Sequence, residues 1–332
     1  FEPFLPAFDF RNPESIEFLM EDATYWIDAL NLDGYRLDAG KHIRPDFWWR
    51  FRTRIRDTFP DKNFYLVGET FQSRQGIADF IGPNMLDGQF DFPLYDVIIP
   101  CFALAQLGFD ELESALRESE EVYGRSVRMS ALLGNHDKSR FIAFADGDLP
   151  DPIDSDDEEV GWARTIRVDN AAAYKKLKLA MTFLLTIDGV PMIYYGDEIG
   201  MSGAGDPDNR RMMRFGQDVT VEEASVKAHF AKLAKTRAAH PSLYLGSRRL
   251  LAAGEDQYAY VRKHEDDVSL VVFNRTEEIQ RYVFDLAPEV GDVVLTDVLS
   301  DAIITARNGR VVFEVGPMES AVFISSTGIK AY

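Results

Sequence analysis

Cysteine is nearly absent: Cys101 stands alone in 332 residues. One thiol cannot form an internal disulfide framework, and it does not fix the compartment. No run of about 18 apolar residues occurs, so no segment is built to span a membrane as a helix. Basic residues are scarce. Lys and Arg total 36 against 55 Asp and Glu, a net charge of −19. Phosphate backbones would be repelled, which excludes nucleic acid as a partner, whereas a neutral substrate needs no charge steering. There is no initiating Met, no signal-peptide pattern, no internal repeat and no low-complexity tract. A start at FEPFLPAFDF says nothing of localisation.

What remains is ordinary globular material, 46% hydrophobic and 27% charged, in a length that suits one barrel plus a small domain. Ile16, Leu19, Ala23, Trp26, Ile27 and Leu30 recur at helical spacing behind Asn12-Pro13, a helix-start pair. Residues 34–38 then read as strand, 46–58 as helix and 64–69 as strand. A weaker strand at 88–92 precedes helices at 94–107 and 111–123. A strand at 127–133, a helix at 174–187, a strand at 191–195 and a helix at 221–239 follow. Residues 144–161 read as an acidic, Pro-containing loop. This is a β-α alternation with five strands. After His240-Pro241 the period changes. The runs 258–262, 268–274, 282–285, 293–297 and 311–315 are short and alternating or β-branched, which predicts an antiparallel sheet or sandwich. The expected division is therefore 1–242 and 243–332.

Three strings close an apolar run with an acid: GYRLDAGKH (34–42), LVGET (66–70) and LLGNHD (132–137). The acids are Asp38, Glu69 and Asp137. They lie 31 and 68 residues apart, about one and two strand-plus-helix units. That spacing predicts all three on the C-terminal rim of a parallel barrel. Each string alone has a plain structural reading. Arg36-x-Asp38 is by itself a salt bridge, and Glu69 a strand cap. His136 reads as a satisfied loop histidine, like His240 and His264. Lys41 reads as a solvated charge, Asp206 as a turn cap beside Pro207, 154–159 as a solvated loop, and Trp48 and Trp49 as barrel packing. Joint order and spacing overturn that reading for the three acids.

Together the strings resemble the α-amylase family of glycoside hydrolases. YYGDEIG (194–200) and FLPAFDF (4–10) extend the likeness over the whole chain, and GAGDPDNRR (203–211) is similar to the neopullulanase and cyclomaltodextrinase branch. The resemblance implies an α/β fold, a (β/α)8 TIM barrel of which this chain supplies strands 4–8, followed by a small antiparallel β-sandwich. It implies retaining cleavage of α-1,4-glucosidic bonds in starch-type oligo- and polysaccharides. Asp38 would be the nucleophile and Glu69 the general acid/base. Asp137 would be the third acid, orienting sugar hydroxyls. Arg36, two residues before Asp38 and so on its face of the strand, would favour the ionised carboxylate, while neighbouring carboxylates would favour a proton on Glu69. Arg36, Lys41, His42, His136, Asp206 and Arg210 would bind substrate, with Phe71 and Tyr195 as candidate stacking rings. No cofactor is required, and no metal ligand is assigned in this chain. A calcium ion would be held by residues outside it.

A barrel of this family has eight strands, and its first three have no counterpart here. The expected partners are thus α-glucan oligosaccharides and the missing N-terminal barrel half, from the same polypeptide or another chain. Five strands alone would leave two parallel edges unpaired. Two rivals share the residues: a transglycosylase, in which a sugar replaces water, and a non-catalytic binding protein. The second is disfavoured because such proteins lose acids, and here all three stand.

Overall fold

The computed structural model describes residue 4 and residues 6–150 and 157–325. The chain forms two compact units, 1–93 with 118–130, and 94–117 with 131–332. Among the described residues no helix is long and apolar enough to cross a membrane.

The first unit begins with α1 (Pro13–Leu30). The Asn12 side chain accepts from Glu14 N, and Pro13 occupies the first turn, where its missing N–H costs nothing. Asn31 ends the helix in the left-handed conformation. Ile16, Met20 and Ile27 face the core. The expected stripe is only partly right, because Trp26 and Leu30 are exposed, as are Phe18 and Tyr25. Strand β1 (Gly34–Leu37) leads to α2 (Pro45–Thr58), then β2 (Tyr65–Gly68), the short α3 (Arg74–Ala78) and β3 (Gly88–Gln89). The three strands are parallel in the order β1-β2-β3. Gly34 is required by the close approach of β1 and β2, since a Cβ there would sit 2.4 Å from Tyr65 O. Trp48 is buried in the core with Phe47, Phe51, Phe64 and Leu66, whereas Trp49 is exposed and does not pack inside.

Helix α4 (Phe92–Ile98) runs into a π-helical turn, Ile99–Ala103, so the helix expected over 94–107 is shorter and interrupted at Pro100. Helix α5 (Phe109–Tyr123) follows. The strand expected at 88–92 is reduced to two residues, and those at 127–133 and 191–195 to isolated parallel pairs. Within the first unit Phe90 pairs with Ser130; within the second Leu132 pairs with Met192. Each stands as an isolated bridge, the first made by Ser130 N to Gln89 O and Asp91 N to Ser130 O, too few bonds to count as a ladder. Part of the acidic run at 144–161 is helical rather than loop: α6 (Phe141–Asp146) and α7 (Asp157–Ala163). Residues 151–156 of that run lie outside the described residues.

Still in the second unit, α8 (Ala172–Thr186) packs on α9 (Val221–Ala239), which opens with a capping box between Thr220 and Glu223. Antiparallel strands then follow: β4 (Ser247–Ala253), β5 (Gln257–His264), β6 (Asp267–Asn274), β7 (Gln280–Asp285), β8 (Val293–Asp297), β9 (Ile303–Ala306), β10 (Arg310–Val315) and β11 (Glu319–Ser325). They form a six-stranded sheet, β4-β5-β6-β11-β8-β9, and a two-stranded ribbon, β10-β7. Val261, Leu270, Val272, Leu295 and Phe323 of the sheet share one core with Tyr282, Val311 and Phe313 of the ribbon. β6 is buried along its whole length. Its other face sends Phe273 among Phe102, Phe109, Tyr258 and Tyr260.

His229 on α9 is buried against α8, its Nε2 3.0 Å from Thr182 Oγ1 and 3.1 Å from Lys178 O. Burial, helped by the Lys178 charge, pushes its imidazole down to about 4. The folded state therefore keeps His229 neutral while the unfolded chain takes a proton near 6.5. Stability from this group is full above pH 6.5 and is lost as pH falls toward 4. Replacing His229 with Gln should flatten the loss of unfolding free energy over that window, by a difference on the order of 3 kcal/mol. Urea unfolding at a series of pH values reads it; identical pH slopes in the two proteins would refute the assignment.

Candidate active site

In the first unit the parallel register decides where the acids fall. Arg36 pairs with Val67 and Leu37 with Gly68, so Asp38 and Glu69 are the first residues past matching strand ends. Side chains alternate along a strand, and paired residues of adjacent strands share a face. Arg36, Asp38 and Glu69 therefore share one face. The guanidinium of Arg36 hydrogen-bonds Asp38 through Nη1 and lies 2.8 Å from Glu69 Oε1 through Nη2. The second contact is an ion pair off the hydrogen-bond axis, which leaves Oε1 buried without an aligned donor. Glu69 Oε2 accepts from Ala39 N at 3.2 Å, and Glu69 O accepts from Gly40 N at 2.8 Å. Ala39 reaches this position with a left-handed φ of 48°, backbone strain stored beside the acids. Trp48 Nε1 donates to Gly40 O and anchors the same turn on α2.

The two acids have opposite surroundings. The Asp38 side chain is 75% exposed and that of Glu69 9%. Lys41, in the turn after β1, donates to Phe71 O at 3.1 Å, and His42 beside it is exposed. Phe71 has one ring face covered by Phe92 at 3.7 Å. A fourth acid, Asp91, follows β3 but is committed to structure, accepting from Ser119 Oγ at 2.9 Å.

The second unit gathers the other expected residues. His136 Nε2 lies 3.2 Å from Asp137 Oδ2. Arg210 reaches Asp206 Oδ2 at 2.9 Å, Asp137 Oδ1 at 3.4 Å and, through Nε, the His136 carbonyl at 3.0 Å. Four residues chosen from two distant strings thus form one cluster. Sequence reasoning missed the residues that hold it. Asn135 caps Asp137 N at 2.8 Å. Asp208 pairs in two-fold fashion with Arg211, closing the 203–211 loop on itself. Arg140, 1% exposed, donates to Asn209 O at 2.9 Å and Tyr195 O at 2.5 Å, pairs with Asp197 at 3.0 Å, and lies over the Tyr194 ring at 4.0 Å. Burial pushes the Asp197 carboxyl up to about 6, and the Arg140 charge opposes it. Tyr195 spends its hydroxyl on Arg211 O. Arg140 and Asn209 sat inside or beside strings already singled out, but nothing in a linear string marks a side chain as a brace. Among the described residues no three His, Cys, Asp or Glu side chains converge as metal ligands.

Residues 1–244 match the family described as alpha amylase, catalytic domain. The chain belongs to the α-amylase family. It is 29% identical to a cyclomaltodextrinase of a Bacillus species over 82% of its own length and 44% of the relative's. To neopullulanase 2 of Thermoactinomyces vulgaris it is 27% identical, over 96% and 50%. The structure superposes on an α-amylase of Geobacillus thermoleovorans complexed with acarbose with a TM-score of 0.78 at 28% identity, covering 95% of this chain and 64% of that one. The chain thus spans about half the length of the curated relatives it matches. The family fold, a TIM barrel with a C-terminal β-domain, accounts for the parallel β-α segments and the antiparallel sheets that follow.

Arg36 touches both acids of the first unit. If Asp38 and Glu69 carry the chemistry of the complete protein, replacing Arg36 with Gln should lower kcat by roughly 100-fold or more, because both carboxylates lose the group that aims them. Circular dichroism should show a retained fold. Steady-state kinetics within three-fold of the parent would show that Arg36 is a surface pair only.

Proposed function

We propose that the complete protein is a retaining glycoside hydrolase acting on α-1,4-glucosidic bonds of starch-type oligo- and polysaccharides. The observation that carries this reading is one guanidinium, Arg36, holding Asp38 and Glu69 side by side past paired strand ends. A retaining enzyme needs two carboxyl groups about 5–5.5 Å apart in unlike environments. Here one is open to solvent and one is buried. In this reading the Asp38 carboxylate attacks the anomeric carbon while Glu69 gives its proton to the departing sugar oxygen. Glu69 then takes a proton from water, which cleaves the glycosyl ester. Asp137, with His136, holds sugar hydroxyls as charge develops on the ring. Asp206 and Arg210 hold a neighbouring sugar, and Lys41 and His42 the leaving side. No step passes through a metal or cofactor. The relatives named for cyclomaltodextrin and pullulan, and the acarbose complex, support α-linked glucose units as substrate.

This reading also assigns the strands of the chain to positions four to eight of the barrel, with the boundary to the β-domain at 242/243. Its support is that β1 has β2 as its one ladder partner among the described residues, and that α1 exposes Phe18, Tyr25, Trp26 and Leu30. An unpaired parallel edge beside exposed aromatic rings suits an N-terminal barrel half.

Full-length protein should degrade starch or cyclodextrin with the first-formed sugar in the α configuration, followed by NMR. Asp38→Asn should lower turnover by about four orders of magnitude or more while leaving the fold intact, because the amide cannot form the ester. A first-formed β-anomer, or parental turnover in the variant, would remove Asp38 from the nucleophile role.

A further inference from the structure

We propose that Asn209 is the positioning residue that aims His136 and Asp137; this rests on the function proposed above. Asn209 is fully buried in the 203–211 loop. Its Nδ2 lies 2.9 Å from the carbonyls of His136 and of Lys138, and 3.5 Å from that of Asn135. One amide nitrogen thus faces three carbonyls of the turn that carries Asp137, two before it and one after. The opposite amide orientation would set an oxygen against three oxygens, so the assignment of Nδ2 follows from the acceptors themselves.

The turn is closed by a backbone bond from Lys138 N to Asn135 O at 3.3 Å. Asn135 Oδ1 holds Asp137 N, and Arg210 Nε shares the His136 carbonyl. Asn209 meets the turn on both sides of Asp137. It is itself fixed from behind, since its carbonyl accepts from buried Arg140, whose own backbone N–H bonds Gly203 O at 3.0 Å. The loop bearing Asp206 and Arg210 and the turn bearing His136 and Asp137 are therefore locked to each other by donors running in both directions. Arg210 stands at the exposed edge of this lock and Asn209 at its dry centre, where a hydrogen bond is strongest and its loss most costly. Asn209 touches no sugar in this scheme; it acts through the carboxylate of Asp137. A group of this kind affects the transition state, where the charge it aims is used, more than it affects ground-state binding.

The test uses the full-length enzyme with Asn209→Leu and Asn209→Asp, both near the size of the amide and both lacking its donor. Folded protein is measured by near-ultraviolet circular dichroism, and rates on a maltooligosaccharide series are expressed per folded molecule. In both variants kcat should fall roughly 10- to 100-fold with KM within three-fold of the parent, the loss expected when a catalytic group is displaced by about 1 Å. A merely structural role would lower the yield of folded protein and leave kcat per folded molecule unchanged, and that result overturns the proposal. A rise in KM with kcat preserved overturns it as well, by making Asn209 a binding-loop residue. If Asn209→Leu does not fold, the Asn209→Asp kinetics decide alone; if neither folds, Asn209 is a folding residue and the proposal fails. A parent enzyme that hydrolyses no α-glucan sinks the functional reading and this inference with it. An active parent with parental kcat in the variants sinks this inference only.

Discussion

The parallel register between β1 and β2 is the constraint on which the first cluster depends. A slip by one residue would turn every side chain of one strand to the other face. Arg36 would keep Asp38, two residues on along its own strand, but would lose Glu69. Register is held by the backbone ladder and by the close approach at Gly34, where no Cβ fits beside Tyr65 O. It is held again past the strand ends, where Gly40 N and Ala39 N both donate to Glu69. Barrel enzymes place chemistry at such ends because the strands are rigid and the turns after them are free to vary. Here the turn itself is strained at Ala39, and the strain is tolerated because both its neighbours are bonded.

Buried guanidinium groups brace the rest. Arg52 holds Met85 O and Phe64 O within the first unit. Within the second, Arg237 collects the carbonyls of Leu185, Ile187, Gly189 and Leu243. Arg262 takes those of Thr186 and Gly246, and Arg275 those of Cys101, Leu107 and Glu255. Segments between helices and strands leave carbonyls without partners, and burying such groups unpaired is costly. One planar group with five donors satisfies several at once. Arg140 does the same between Tyr195 O and Asn209 O, next to the residues proposed for substrate. Five buried arginines of this acidic chain are thus spent on backbone carbonyls.

The β-domain shows how pattern and packing divide the work. Alternation along 258–262 and 268–274 marks strands because one face must be apolar. Yet β6 is buried on both faces, since Phe273 meets rings from the helical segments while Leu270 and Val272 meet the ribbon. β4, β9 and β11 escaped the reading. β11 lies between β6 and β8, its partners 45 and 26 or more residues earlier in the chain, and no local signal encodes such a pairing.

The residues alone carried the likeness to the family and the order of parallel and antiparallel segments, because motif strings and apolar periods are local properties of the chain. The helix start at Asn12-Pro13 was legible for the same reason: a cap is made by neighbours in the chain. Only the tertiary structure decided that Arg36 touches both Asp38 and Glu69, that Asp91 is tied to Ser119, and that Trp49 and Trp26 face outward. It alone revealed Asn209 and Arg140 as braces of the Asp137 turn. Their partners are backbone carbonyls about 70 residues away, and every residue type presents the same carbonyl. A contact to a group that all residues share leaves no mark on the identity of its partner, so it becomes visible only once the chain is folded.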